Sequence, residues 1–156
     1  MRRRHVTFGV IAVTGLVLGV AAPVGAQGGD NALFAVLTGA KEVAPNGTKG
    51  DGDRNGRGSF SATLDGRQLC YGLQVKNIGD PGAAHIHRGG RNVAGPVVQE
   101  LEHPTSGDPG ASSACVRLSR SLARDLRQHP KRYYVNVHNT AFPNGAIRGQ
   151  LFAKSR

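Results

Sequence analysis

The stretch from Ser59 to Asn77 constrains this chain most. Phe60, Ala62 and Leu64 fall on alternate residues, and after Asp65-Gly66 the pattern resumes as Leu69, Tyr71, Leu73 and Val75. A period of two marks a strand with one buried face, and Asp-Gly between two such runs is a strong hairpin signal. Further strand-like runs lie at Ala32 to Leu37, Ala84 to His87, Pro96 to Leu101, Ser113 to Leu118, Tyr133 to His138 and Ala146 to Ala153. Within Tyr133 to His138, the residues Tyr133, Val135 and Val137 share one side, and Tyr134, Asn136 and His138 share the other. Glycine, 23 residues without a repeating period, points to many tight turns rather than collagen. One of these turns is Phe142-Pro143-Asn144-Gly145. One helix is expected, Ser121 to Gln128, with Leu122 and Leu126 a turn apart, arginines opposite and Pro130 ending it. Short strands joined by such turns predict an all-β protein, an antiparallel sandwich or barrel with one short helix.

The N-terminus reads as an export address. Arg2, Arg3 and Arg4 precede an uncharged apolar run from Val6 to Val20, and Val24-Gly25-Ala26 offers small residues for cleavage. Residues 1–26 are therefore expected to be a signal peptide, and residues 27–156 a single domain. Nothing later is apolar for long enough to cross a bilayer, so the expected location is secreted or associated with the cell envelope. In an oxidising compartment Cys70 and Cys115 are expected to form one disulfide, worth roughly 4 kcal/mol by loop closure. Two buried thiols are the alternative. Residues 1–26 hold three arginines and no acid, so the exported chain keeps about seven of its ten net positive charges. Arg117, Arg120, Arg124, Arg127, Lys131 and Arg132 concentrate that charge, opposed only by Asp125. They form either an adhesive surface for an anionic envelope polymer or the solvated face of a helix. No aromatic interleaving supports specific nucleic-acid binding.

His85-Ile86-His87 carries the clearest chemistry. Two histidines one residue apart project from the same face of a strand, with Cα atoms roughly 6.5–7 Å apart. His138 ends another strand and can complete a three-imidazole site suited to copper or zinc. The alternative is that these rings hydrogen-bond loop carbonyls and hold the sheet. His103, His129 and His5 have weaker claims. Asp51-Gly52-Asp53-Arg54-Asn55-Gly56 matches the opening of a calcium loop, but Ala62 stands where the loop needs a bidentate glutamate. A polar turn explains the same letters, so calcium is not expected. Serine-nucleophile, phosphate-loop and nucleotide signatures are absent, as are paired carboxylates for glycoside hydrolysis.

Four segments together resemble the CHRD domain, a family named for its copies in chordin that also occurs as single domains in secreted bacterial proteins. They are Ala84-His85-Ile86-His87-Arg88-Gly89, Gly95-Pro96-Val97-Val98, Tyr133-Tyr134-Val135-Asn136-Val137-His138 and Pro143-Asn144-Gly145-Ala146-Ile147-Arg148-Gly149-Gln150-Leu151. The resemblance runs from about Leu33 to Phe152 and implies an extracellular β-rich module. It does not imply a named enzyme. The expected role is a binding or structural module at the cell surface, its partner an extracellular protein or, through the basic patch, an anionic envelope polymer. His-x-His on a strand is also similar to the copper-binding strand of the copper/zinc superoxide dismutases, which are immunoglobulin-like β-sandwiches. That likeness implies His85, His87 and His138 as ligands and a metal-dependent redox enzyme as the competing function. This chain lacks an evident fourth copper histidine and the bridging-histidine zinc loop. Asn144, Gly145, Arg148 and Gly149 are expected to stabilise a turn, the glycines by backbone freedom and Arg148 by bonding carbonyls.

Overall fold

A computed structural model describes residues 32–154, so the expected signal peptide lies outside the described residues. Among the described residues nine strands form: β1 (Ala32–Thr38), β2 (Arg57–Asp65), β3 (Gln68–Lys76), β4 (Pro81–Arg88), β5 (Val97–Leu101), β6 (Gly110–Arg117), β7 (Tyr133–Asn139), β8 (Ile147–Gln150) and β9 (Phe152–Ala153). One helix, α1 (Arg120–Gln128), separates β6 from β7. The all-β antiparallel architecture expected from the alternation is the one adopted. Its layers belong to one continuous sheet of order β5-β4-β7-β8-β1-β2-β3-β6, with β9 pairing β1.

Each strand follows from its local pattern. Phe60, Ala62 and Leu64 of β2 and Leu69, Tyr71, Leu73 and Val75 of β3 are all buried, as the two-residue period requires. Asp65 pairs with Gln68, so Gly66 and Arg67 form the turn. Gly66 takes φ +53 at the first central position, where a type II′ turn needs a glycine. Helix α1 begins at Ser119, whose hydroxyl accepts from the Leu122 amide at 3.1 Å, and it lays Leu122, Ala123 and Leu126 on the core. Cys70 and Cys115 face each other across β3 and β6 and form the disulfide.

The sheet closes nearly into a barrel. Its edge strands β5 and β6 meet through side chains rather than a ladder. The Glu102 amide, just past β5, donates to the Tyr71 hydroxyl at 2.6 Å, and the Ser112 hydroxyl of β6 donates to the Glu102 carbonyl at 2.7 Å. The expected closing strand Ala146 to Ala153 divides in two. β8 lies between β7 and β1, with Arg148 opposite Thr38 of β1, and beyond Leu151 the chain continues along β1 as β9. Leu151 itself is buried, and its amide donates to the Tyr133 carbonyl of β7.

The two faces of β7 did not divide into core and solvent. Tyr133, Val135 and Val137 point into the core, but Tyr134 and Asn136 on the opposite face are also buried. The β4–β5 connection, the segment after β1 and the turn before β8 cover that second face. This covering creates a polar interior, and the histidines lie at its edge.

Candidate functional site

Strands β4 and β7 pair antiparallel, with Ala83 opposite His138, His85 opposite Asn136 and His87 opposite Tyr134. The period of two then places His85, His87 and His138 on one face. Ring centroids lie 5.4 Å apart for His85 and His87, 4.9 Å for His85 and His138, and 5.8 Å for His87 and His138. One ring nitrogen from each residue lies within 4.8 Å of the other two, and this is the only such cluster of potential ligands among the described residues.

The outward nitrogens are all engaged. His87 Nδ1 lies 2.9 Å from the Gly95 carbonyl, and His138 Nδ1 lies 3.0 Å from the Pro143 carbonyl. His85 Nε2 lies 2.8 Å from a Glu100 carboxylate oxygen. Carbonyls and carboxylates only accept, so each of these nitrogens carries a proton and each neutral ring keeps its lone pair on the other nitrogen. Those other nitrogens turn toward one another. His85 Nδ1 lies 3.1 Å from His138 Nε2, and His87 Nε2 is buried with no hydrogen-bond partner.

Two lone pairs at that distance repel unless a proton or a cation stands between them. Two ligand nitrogens on a tetrahedral ion, each about 2.0–2.1 Å from it, are about 3.3 Å apart. The His85–His138 pair is close to that spacing, and a His87 ring nitrogen lies within 4.8 Å of both. Metal-bound histidines characteristically donate their second N–H to a carboxylate or carbonyl, and all three rings do so here. The residues present therefore fit a metal ion.

Electrostatics favour neutral ligands. Burial lowers the His87 pKa to about 4, with the neighbouring His138, His85 and Arg148 acting in the same direction and the Gly95 carbonyl opposing. Burial likewise lowers His138, with His85 adding to the effect. A neutral imidazole offers its lone pair without first releasing a proton.

Behind the histidines lies a polar floor that the sequence did not disclose. The Tyr134 ring stacks on His87 at 4.8 Å and 11°, and its hydroxyl accepts from the Gly95 amide. The Arg148 guanidinium lies 3.4 Å from the Tyr134 ring centroid, a close cation–π contact. Arg148 is 2 % exposed and Glu42 is 1 % exposed. Burial raises the Glu42 pKa to about 6 despite the opposing Val43 amide and the Arg148 charge. Tyr134, Asn136 and Arg148 all lie in motifs legible in the sequence, but nothing local marks Glu42 as buried.

The remaining residues are dispersed. At the β7–β8 turn, the Gly145 amide donates to the Phe142 carbonyl at 3.0 Å. Gly145 has φ +140, and a Cβ there would collide with the Glu42 carboxylate. A Cβ on Gly149 would come within 2.7 Å of the Val36 carbonyl. Asn144 is exposed. Arg148 does bond a carbonyl, but that of Gly90 in another loop, at 2.8 Å. In the segment read as a calcium-loop opening, Asp53 Oδ1 accepts from the Asn55 amide, as in a polar turn. Of the basic residues, Arg117, Arg120, Arg124, Lys131 and Arg132 are exposed. Arg127 instead donates to the Gly66 carbonyl, and Arg132 approaches Asp125 at 4.0 Å. His103 bonds the Pro104 carbonyl away from the cluster.

No helix among the described residues is long and apolar enough to cross a membrane. No curated protein and no solved structure matches the chain. The model of the CHRD domain matches residues 33–151. Those bounds take in every strand that carries a histidine of the cluster, the loops that hold their outward nitrogens and most of the described fold. The chain belongs to the CHRD domain family.

Proposed function

We propose that this chain is an exported CHRD module, secreted or associated with the cell envelope after cleavage following Ala26, that holds a copper or zinc ion on His85, His87 and His138. The observation that carries this reading is the pair of facing nitrogens, His85 Nδ1 and His138 Nε2, 3.1 Å apart. Each ring's other nitrogen is committed to a carbonyl or carboxylate. Held by these three histidines, a zinc or copper ion would be open to one further small ligand, which it would polarise or exchange. His87 supplies a buried ligand, Gly95 and Pro143 fix the rings, and Glu100 holds His85 from the solvent side. As a module, the protein presents this centre to an extracellular partner.

The test is elemental mass spectrometry of the exported protein, wild type against a His85→Ala/His87→Ala double variant. Near-stoichiometric metal in wild type and its loss in the variant are expected. Equal, trace metal in both sinks the reading and leaves the rings as structural hydrogen-bond donors. Copper rather than zinc would favour the superoxide-dismutase-like redox alternative and justify a redox assay.

A further inference from the structure

A second constellation is built around Arg148, whose guanidinium lies over the Tyr134 ring. Lys41, Arg91, Asn92, Arg148 and Gln150 line a cleft of about 200 Å³. They come from three places in the chain: the end of the short 3-10 turn after β1, the β4–β5 loop, and β8. Three of the five are cations and none is an acid. Assembling three positive side chains costs electrostatic energy unless an anion joins them. Burial and the Arg91 charge together lower the Lys41 pKa, so the like charges do sense each other.

The cations keep donors in reserve. A guanidinium carries five N–H donors. Arg148 directs Nη2 to the Gly90 carbonyl, while Nη1 is buried with no partner. Lys41 Nζ donates to the Val36 carbonyl at 2.6 Å and has two further protons. Gln150 is not a free donor, because its amide bonds the carbonyls of Gly89, Lys131 and Tyr133. It braces the wall. Arg148 also pins the cleft's rim. Gly90, whose carbonyl it bonds, accepts from the Val93 amide at 3.3 Å and so closes the turn that displays Arg91 and Asn92.

The buried Glu42 acts on Arg148 through space but makes no ion pair with the cleft's cations. No carboxylate lies within 4.0 Å of Lys41, Arg91 or Arg148 among the described residues. The cleft is smaller than the roughly 300–1,000 Å³ of a drug-sized site, so it suits a single charged group. A divalent tetrahedral anion balances three cations better than a carboxylate does, and arginine forks match its oxygens.

We propose that the cleft of Lys41, Arg91 and Arg148 binds one tetrahedral oxyanion group, a sulfate or phosphate, free or as an ester on an extracellular polymer. This site is separate from the exposed Arg117 to Arg132 surface and does not depend on metal at the histidines.

The test is thermal unfolding and titration calorimetry of the full exported chain with sodium sulfate and sodium phosphate, against sodium chloride at matched ionic strength. A saturable stabilisation by sulfate or phosphate that chloride does not give is expected. Arg91→Ala and Lys41→Ala, both on exposed side chains, should each weaken it by about tenfold or more. Arg124→Ala, which removes one charge on α1, should leave it unchanged. Dextran sulfate against unsulfated dextran separates the sources: tighter binding than free sulfate assigns the polymer-borne ester, and equal binding per sulfate assigns the free ion. Equal effects of chloride and sulfate, or equal losses in Arg91→Ala and Arg124→Ala, overturn the proposal.

Discussion

Glu42 and His87 are buried titratable groups whose protonation acts on stability in opposite senses. The folded chain holds a proton on Glu42 more tightly than the unfolded chain, because burial raises that carboxyl to about 6. Its contribution is therefore present below the ordinary carboxyl pKa of 4.5 and is lost as pH rises to 6. His87 is the reverse. Lowered by burial from 6.5 to about 4, it contributes stability above pH 6.5 that is lost as pH falls toward 4. The two slopes offset each other in wild type. Glu42→Gln removes the first, so the variant should gain about 2 kcal/mol on wild type between pH 4.5 and 6.5. Urea unfolding at both pH values reads this directly. Parallel behaviour of the two proteins would show that Glu42 is solvated in the folded chain.

At the scale of elements, the hairpin was readable from local letters, and the disulfide from two cysteines in a chain with an export address. Cys70 and Cys115 stand opposite each other in the β3–β6 ladder, and the bond closes a loop of 45 residues. Reducing it, or replacing both cysteines by serine, should cost roughly 4 kcal/mol, seen as a lower urea midpoint, with a steeper slope as the unfolded chain expands. An unaltered midpoint would mean that the ladder alone holds β6. Helix α1 was legible for a similar reason: Leu122 and Leu126 lie one turn apart, and Ser119 caps the first turn. The break at Leu151 was not legible. Ala146 to Ala153 alternates as one strand would, and only the neighbours on each side decide that β8 lies between β7 and β1 while β9 pairs with β1 alone.

For the whole molecule, the question is what keeps the sheet from opening. Its ends are joined at Glu102 by the hydroxyls of Tyr71 and Ser112, without a strand ladder between β5 and β6. Tyr71→Phe keeps the ring, which stacks on Phe60 at 5.7 Å, and removes only the acceptor for the Glu102 amide. Stability should fall by about 1 kcal/mol, and hydrogen exchange should quicken in β5 while β2 and β3 stay protected. Uniform exchange across the sheet would instead show that closure rests on core packing. The seam also bears on the histidines, because Glu100 in β5 holds His85. Loosening β5 should therefore loosen that ring before the other two.

What the sequence determined by itself is what depends on near neighbours. A period of two told which side chains share a face of β2, β3 and β7, Asp65-Gly66 told where the chain reverses, and His85-Ile86-His87 told that two imidazoles point together. The meeting of His85 with His138, 53 residues apart, needed β4 to lie beside β7 in one particular register. That choice belongs to the packing of the whole sheet. Likewise, His87 keeps an unpartnered inward nitrogen because Gly95 occupies the other one, and Arg148 is buried because loops fold over a strand face that alternation alone assigns to solvent. Strand identity is local. Strand neighbours, loop carbonyls and the polar floor they enclose are set by contacts between distant parts of the chain, and these decided the form of both the histidine cluster and the basic cleft.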